Sequence, residues 1–213
     1  MKTYHAYLFD MDGTLVNSEP LKGKALALAC LDFGVNIDAA IYKEVMGKSW
    51  HIVTEYFFRR ANIHPPIAEF DLHFKKHYQK LLDERLEANL GVREYLTYLR
   101  QKGYKCALVT SSKYWAVELI LDALQLQDFF DVIVTQENVQ HHKPDPEAYL
   151  VALSKLDVSA ADALVFEDSH SGVLAATASS CDVVGFQHDF NRHNDLSAVS
   201  KLINNFSEMI EKS

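Results

Sequence analysis

Leu8-Phe9-Asp10-Met11-Asp12-Gly13-Thr14 is the stretch on which the reading of this chain turns. The apolar run from Ala6 to Phe9 stops at two carboxylates spaced i and i+2, and a glycine and a hydroxyl follow. A buried strand that delivers acids to its C-terminal edge has this pattern. Side chains at i and i+2 of a strand leave on the same side, so Asp10 and Asp12 can face one site. Gly13 then permits a sharp turn. Two like charges this close repel unless a cation lies between them or one carries a proton. The pair implies a metal or an acid/base couple. Taken alone, the same residues also read as an Asp-rich turn capping the next helix.

Outward from this stretch the texture changes twice. From Asn17 to Leu86 the chain reads as helices with no convincing strand. Pro20 starts a helix behind Asn17 or Ser18, with Leu21, Ala25, Leu28 and Ala29 as its apolar stripe. Ile41 to Met46, Ile52 to Arg60 and Phe70 to Leu86 continue the helical block, broken at Gly47 and Pro65-Pro66. From Gly91, helices alternate with apolar strands at Cys106 to Val109, Val132 to Val134, Ala163 to Phe166 and Val183 to Phe186. Strands apolar on both faces, separated by helices, predict an α/β fold in which a parallel sheet is sandwiched between helix layers. Leu196 to Ile210 reads as a terminal helix, and Gln187 to Asp195 as a polar loop without an assigned role.

Ligands of such sheets bind beyond the carboxyl ends of the strands. The polar residues there are Asp10 and Asp12, Thr110 with Ser111, and Glu167 with Asp168, joined by Lys143 from the loop after the third core strand. Thr110 to Ser112 precedes a helix, where hydroxyls and free N–H groups cradle an anion. Lys143, beside Pro144, offers a cation to a phosphate or a carboxylate. Glu167 and Asp168 supply hard oxygen ligands suited to Mg2+. Each has a plainer reading in isolation: a serine N-cap, a solvated lysine, a helix-dipole acid pair.

Composition sets the bounds. Of 213 residues, 48% are hydrophobic, enough for a sizeable core, and the length suits a core domain with an inserted module. The 29 acidic against 21 basic residues, net charge −8, argue against nucleic acid and anionic membranes as partners but leave room for a small phosphorylated substrate. Three scattered cysteines form no disulfide or metal pattern. The N-terminal residues lack the regions of a signal peptide, and no run approaches a membrane span, so a cytoplasmic protein is expected.

Four motifs in order resemble the signatures of the haloacid dehalogenase superfamily: Asp10-Met11-Asp12-Gly13-Thr14, Thr110 after its strand, Lys143-Pro144, and Glu167-Asp168-Ser169 with Gly172. The resemblance implies a Rossmann-like core, residues 1–16 and 87–213, and a helical C1 cap, residues 17–86, as in the branch containing phosphoglycolate phosphatase and beta-phosphoglucomutase. It further implies a Mg2+-dependent phosphatase. Asp10 would be the nucleophile that forms an aspartyl phosphate, and Asp12 the general acid/base. Thr110, Ser111 and Lys143 would bind the phosphoryl group. Asp10, the Asp12 carbonyl, Asp168 and Glu167 would attend the metal, and Lys48 and Trp50 in the cap would meet the leaving group. An acid at position 12 indicates phosphoryl transfer, because the dehalogenases lack it. His142 stands where relatives often have glycine, and it and His141 could shape the pocket. The alternatives are a phosphomutase and a non-catalytic binding or regulatory protein that keeps the fold.

Overall fold

The structure, a computed structural model, describes residues 2–210. Its centre is a six-stranded sheet, parallel throughout, made of β1 (Ala6–Phe9), β2 (Lys105–Val109), β3 (Val132–Val134), β4 (Ala163–Glu167), β5 (Asp182–Phe186) and β6 (Lys201–Ile203). The order across the sheet is β3-β2-β1-β4-β5-β6. The chain builds outward from β1 through β2 to β3, then returns to β1's other side with β4. That reversal makes the C-terminal end of β1 the switch point where such sheets open a crevice.

Both faces of the sheet are covered, as the continuous apolar runs require. Tyr7 and Phe9, Cys106 and Leu108, and Leu164 and Phe166 point to one side, where α4 (Val92–Gln101) and α5 (Tyr114–Ala123) pack. Ala6 and Leu8, Ala107 and Val109, and Ala163 and Val165 point to the other, under α6 (Glu147–Leu156) and α7 (His170–Ala178). Phe9 and Phe166, direct neighbours in the β1–β4 register, stack at 4.9 Å.

Between β1 and α4 lie three helices, α1 (Glu19–Asp32), α2 (Trp50–Ala61) and α3 (Ile67–Arg85), with a 3-10 helix at Ala39–Glu44. This is the inserted helical region. Its two entry strands are knotted into a neck: Asn17 N–H donates to Glu87, Asn89 N–H donates to Leu15, and Val16 bridges Ala88 antiparallel. The aromatic spine Phe57, Phe70, Phe74 and Tyr78 packs the region into one cluster with the α4/α5 layer.

Two readings are corrected. The helical stretch expected at Ile41 to Met46 is a short 3-10 helix, Ala39–Glu44, that starts and ends two residues earlier. The chain from Leu196 to Ile210 is not a terminal helix. Leu202 is exposed while Ile203 is buried, the alternation of a strand, and residues 201–203 extend the sheet as β6. Phe206, on a following 3-10 turn, turns inward with 0% exposure and packs on Phe186, Phe166 and Tyr95 at 5.1, 5.2 and 5.7 Å. Adding a strand to an open edge and burying that ring outweighed a short helix with little to pack against.

Candidate active site

The four strand ends meet. Asp10, Asp12, Thr110, Ser111, Lys143 and Asp168 all line one cavity of about 240 Å³ beyond the C-terminal edge of β1, and Lys48 and Trp50 line it from the helical region. Glu167 lies immediately behind the wall. His141 and His142 do not reach it; His141 is on the surface, where its ring pairs with Glu147 at 2.8 Å.

Lys143 organises the floor. Its ammonium, only 3% exposed, donates to Asp10 Oδ1 at 2.7 Å, Glu167 Oε1 at 2.6 Å and the Val109 carbonyl at 3.0 Å. Glu167 is saturated by protein donors. Tyr149 Oη reaches Oε1 at 2.8 Å, while Asp168 N–H, Ser169 N–H and Ser169 Oγ reach Oε2 at 3.1 to 3.2 Å. Burial disfavours the Lys143 charge, but Asp10 and Glu167 outweigh it and drive the pKa up, so the group is an ammonium throughout the physiological range.

Asp12 has a different setting. Its carboxylate accepts from the hydroxyls of Ser18, Ser112 and Tyr78 and from Lys22 Nζ at 2.9 Å. Burial pushes its pKa up, yet Lys22 and the serine donors more than offset this and hold it below the usual carboxylate value. Asp10 shows the opposite balance. Burial, reinforced by Glu167 and Asp168, lifts it well above the ordinary value in spite of Lys143. Thr110, 3% exposed, accepts from the Ser112 N–H at 3.0 Å and so fixes the turn that carries Ser111 and Ser112.

The ligand chemistry fits a hard divalent cation. Oxygen atoms of Asp10, Glu167 and Asp168 lie within 4.8 Å of one another, all three residues being buried. Around them Asp12 and Glu19 are buried too, so five carboxylates share two ammonium groups, Lys143 and Lys22. Asp168 is pushed well above its ordinary value by burial and by Glu167 and Glu19. A site with this excess of negative charge and oxygen donors only is suited to Mg2+. Gly13, at φ +83°, brings the backbone so close that a Cβ there would stand 2.2 Å from Asp168 Oδ2.

The wall from the helical region is aromatic and cationic. Trp50 is held by tilted ring contact with Phe74 at 4.5 Å and by donating Nε1 to Asp71 at 2.7 Å; Asp71 in turn pairs with Lys113 of the core at 2.8 Å. Ser171 Oγ donates to the Gly47 carbonyl at 2.9 Å and so ties the loop bearing Lys48 to the rim. Residues that sequence reasoning left without a role are prominent here: Tyr78, Tyr149, His188 and Asn191. Tyr78 sits at helical spacing among core aromatics and gives no signal, and His188 lies in a polar loop with no partner visible in the sequence.

The family model for haloacid dehalogenase-like hydrolases matches residues 7–186. The phosphorylated carbohydrates phosphatase of Thermotoga maritima is 33% identical over 187 residues, 87% of each chain. Hexitol phosphatase B of Escherichia coli is 29% identical over 175 residues, 81% of this chain and 79% of that protein. The crystal structure of CbbY from Rhodobacter sphaeroides in complex with phosphate superposes with a TM-score of 0.88 at 26% identity, covering 97% of this chain and 96% of that one. With its parallel core, inserted helices and acidic cluster at the end of β1, the chain belongs to the haloacid dehalogenase-like hydrolases.

Proposed function

We propose that the protein is a Mg2+-dependent phosphatase of a small phosphorylated metabolite, a phosphorylated sugar or sugar alcohol being the favoured class. The observation that carries the reading is the pairing of two buried aspartates with opposite surroundings, Asp10 beside Lys143 and Asp12 beside Lys22, at the floor of one cavity. The names of the Thermotoga and Escherichia relatives support the carbohydrate class.

In this reading Asp10 attacks phosphorus as the ester P–O bond breaks, forming an aspartyl phosphate and releasing the alcohol. Asp12 gives its proton to the leaving alkoxide. It then takes one from the water that cleaves the aspartyl phosphate, a role worth ~10²–10⁴-fold. Lys22 favours the ionised form of Asp12, which suits the second step. For the first step Asp12 must carry a proton, which the pairing with Lys22 opposes. Thr110, the Ser111 N–H and Lys143 hold the phosphoryl oxygens and meet the charge that develops on them. Asp10, Asp168 and the Asp12 carbonyl would hold the Mg2+, with Glu167 acting behind them through Lys143; when bound, the ion would offset repulsion between the Asp10 carboxylate and the phosphate. Residues 17–86 act as the cap, and Lys48 and Trp50 meet the leaving group. None of the helices of the described residues is long and apolar enough to cross a membrane. Three free, buried cysteines agree with a cytoplasmic setting.

The test is a Mg2+-supported screen for inorganic phosphate release from phosphorylated sugars, sugar alcohols, phosphoglycolate and nucleotides, with Asp10→Asn alongside. Release from carbohydrate phosphates that Asp10→Asn abolishes is expected. Turnover by pure Asp10→Asn at the wild-type rate refutes the nucleophile, and absence of release from every compound refutes the phosphatase. An isomerised sugar phosphate without free phosphate, seen by phosphorus NMR, identifies a phosphomutase instead.

A further inference from the structure

The polar loop after β5 contains a bracket that the chemistry above leaves unused. Asn191 is 1% exposed and engages its whole amide. Nδ2 donates to the carbonyls of Asp168 at 2.8 Å and Phe186 at 2.9 Å, and Oδ1 accepts from the His188 backbone N–H at 2.8 Å. One side chain thus ties the ends of β4 and β5 together and sets the turn that presents His188. The imidazole, 14% exposed, is oriented at both nitrogens. Nδ1 lies 3.2 Å from the Phe190 backbone nitrogen, whose hydrogen it accepts, so in the neutral ring the proton sits on Nε2. That nitrogen donates to Asp168 Oδ2 at 3.0 Å. With both nitrogens engaged the ring has no lone pair to give to a metal.

We propose that His188 is a positioning residue for the divalent-cation site: its Nε2–H, presented by the turn that Asn191 staples, holds the Asp168 carboxylate in place beside Asp10. The inference rests on the assignment of Asp10 and Asp168 as Mg2+ ligands. Asp168 needs such a restraint because Glu167, Glu19 and Asp12 all repel its charge. Its other side-chain donor, Thr14 Oγ1, stands at 3.3 Å, near the limit of a hydrogen bond. A neutral donor restrains the carboxylate without adding a competing cation. Hydrogen bonds to a metal ligand from the residues behind it change metal affinity by ~10–100-fold.

The experiment is calorimetric titration of the metal-free protein with Mn2+ and with Mg2+, substrate absent, on wild type, His188→Leu and His188→Gln. His188→Leu is expected to weaken binding by ~10–100-fold. His188→Gln, whose amide nitrogen takes the place of Nε2, is expected to restore most of the loss. Should the leucine variant fail to fold, His188→Asn, polar but too short to reach Asp168, takes its place. Wild-type affinity in the leucine or asparagine variant overturns the proposal. So does a glutamine variant as weak as the leucine one, because the ring's packing and not its donor would then be responsible. Asp168→Asn separates the two levels of the argument. If it leaves affinity unchanged, or if wild type binds neither ion, the Mg2+ assignment falls and this inference with it. If Asp168→Asn abolishes binding while His188→Leu does not weaken it, only the role of His188 falls.

Discussion

Gly172→Ala sets helix propensity against packing. Gly172 occupies the first turn of α7, and alanine there should gain about 0.5–1 kcal/mol by propensity alone. A Cβ at this position, however, would lie 1.8 Å from Glu167 Oε1 and 1.9 Å from its Cδ. The carboxylate cannot retreat freely: Lys143 at 2.6 Å, Tyr149 at 2.8 Å and three donors on its other oxygen hold it. Overpacking of this kind costs about 1–3 kcal/mol. Displacing the carboxylate also loosens a buried ion pair, whose full loss is worth about 3–5 kcal/mol. After the helix gain is subtracted, a net destabilisation of about 2–4 kcal/mol is expected. For a chain of this length that lowers Tm by roughly 4–16 °C. Calorimetric melting of the metal-free protein measures it. The decisive control is a double-mutant cycle with Glu167→Ala, which removes all three atoms that the new methyl would meet. In that background Gly172→Ala should be neutral or stabilising, giving a coupling of about 3 kcal/mol. Equal Tm changes in the two backgrounds, or a rise in the wild-type background, refute the reasoning.

Two further outcomes follow from groups away from the site. Cys30 and Cys106 are fully buried and Cys181 nearly so, and burial pushes their thiols up, to about 11 and about 12 for the first two. An aromatic disulfide reagent at mildly alkaline pH should therefore find no fast thiol in the native protein and all three after unfolding; one fast equivalent in the native state contradicts the burial. Asp32, the last residue of α1, accepts from His73 at 2.6 Å and His77 at 2.8 Å on α3. Burial pushes its pKa up, but the hydrogen bonds from His77 and His73 prevail and hold it below the ordinary value. A depressed carboxylate stabilises the fold above its unfolded pKa of about 3.9 and loses that contribution as pH falls. The Tm advantage of wild type over Asp32→Asn should thus be small, because the pair is at the surface. It should be present at neutral pH and close on acidification. An advantage undiminished at strongly acid pH, where the carboxylate itself is protonated, refutes the clasp.

The strands of the core and the gathering of their ends were legible because apolar runs broken by acids, hydroxyls and a lysine have few solutions in an alternating βα chain. The failures share a cause. Leu196 to Ile210 has apolar residues at mixed spacing, and only the open edge of β5 and the aromatic pocket around Phe206 decide between helix and strand. His188 and Asn191 escaped for the same reason: their partners, Asp168 and the two strand-end carbonyls, are brought to them by the sheet and not by neighbouring sequence. The contact of Lys22 with Asp12 depends on how α1 leaves the neck, which no local sequence pattern reveals.

The two aspartates draw their surroundings from different parts of the molecule. Every side chain that fixes Asp10, directly or through Glu167, belongs to the core: Lys143, Tyr149 and Ser169. Asp12 depends on Ser18, Lys22 and Tyr78 from the inserted helices and on Ser112 alone from the core. Because Lys22 is the largest influence opposing the burial of Asp12, the charge on this residue follows the seating of the inserted helices. Asp10, by contrast, is paired with Lys143, whose other contacts, Glu167 and the Val109 carbonyl, lie in the core. Two carboxylates two positions apart in the sequence are thereby held by different parts of the molecule: Asp10 by the core, Asp12 chiefly by the inserted region.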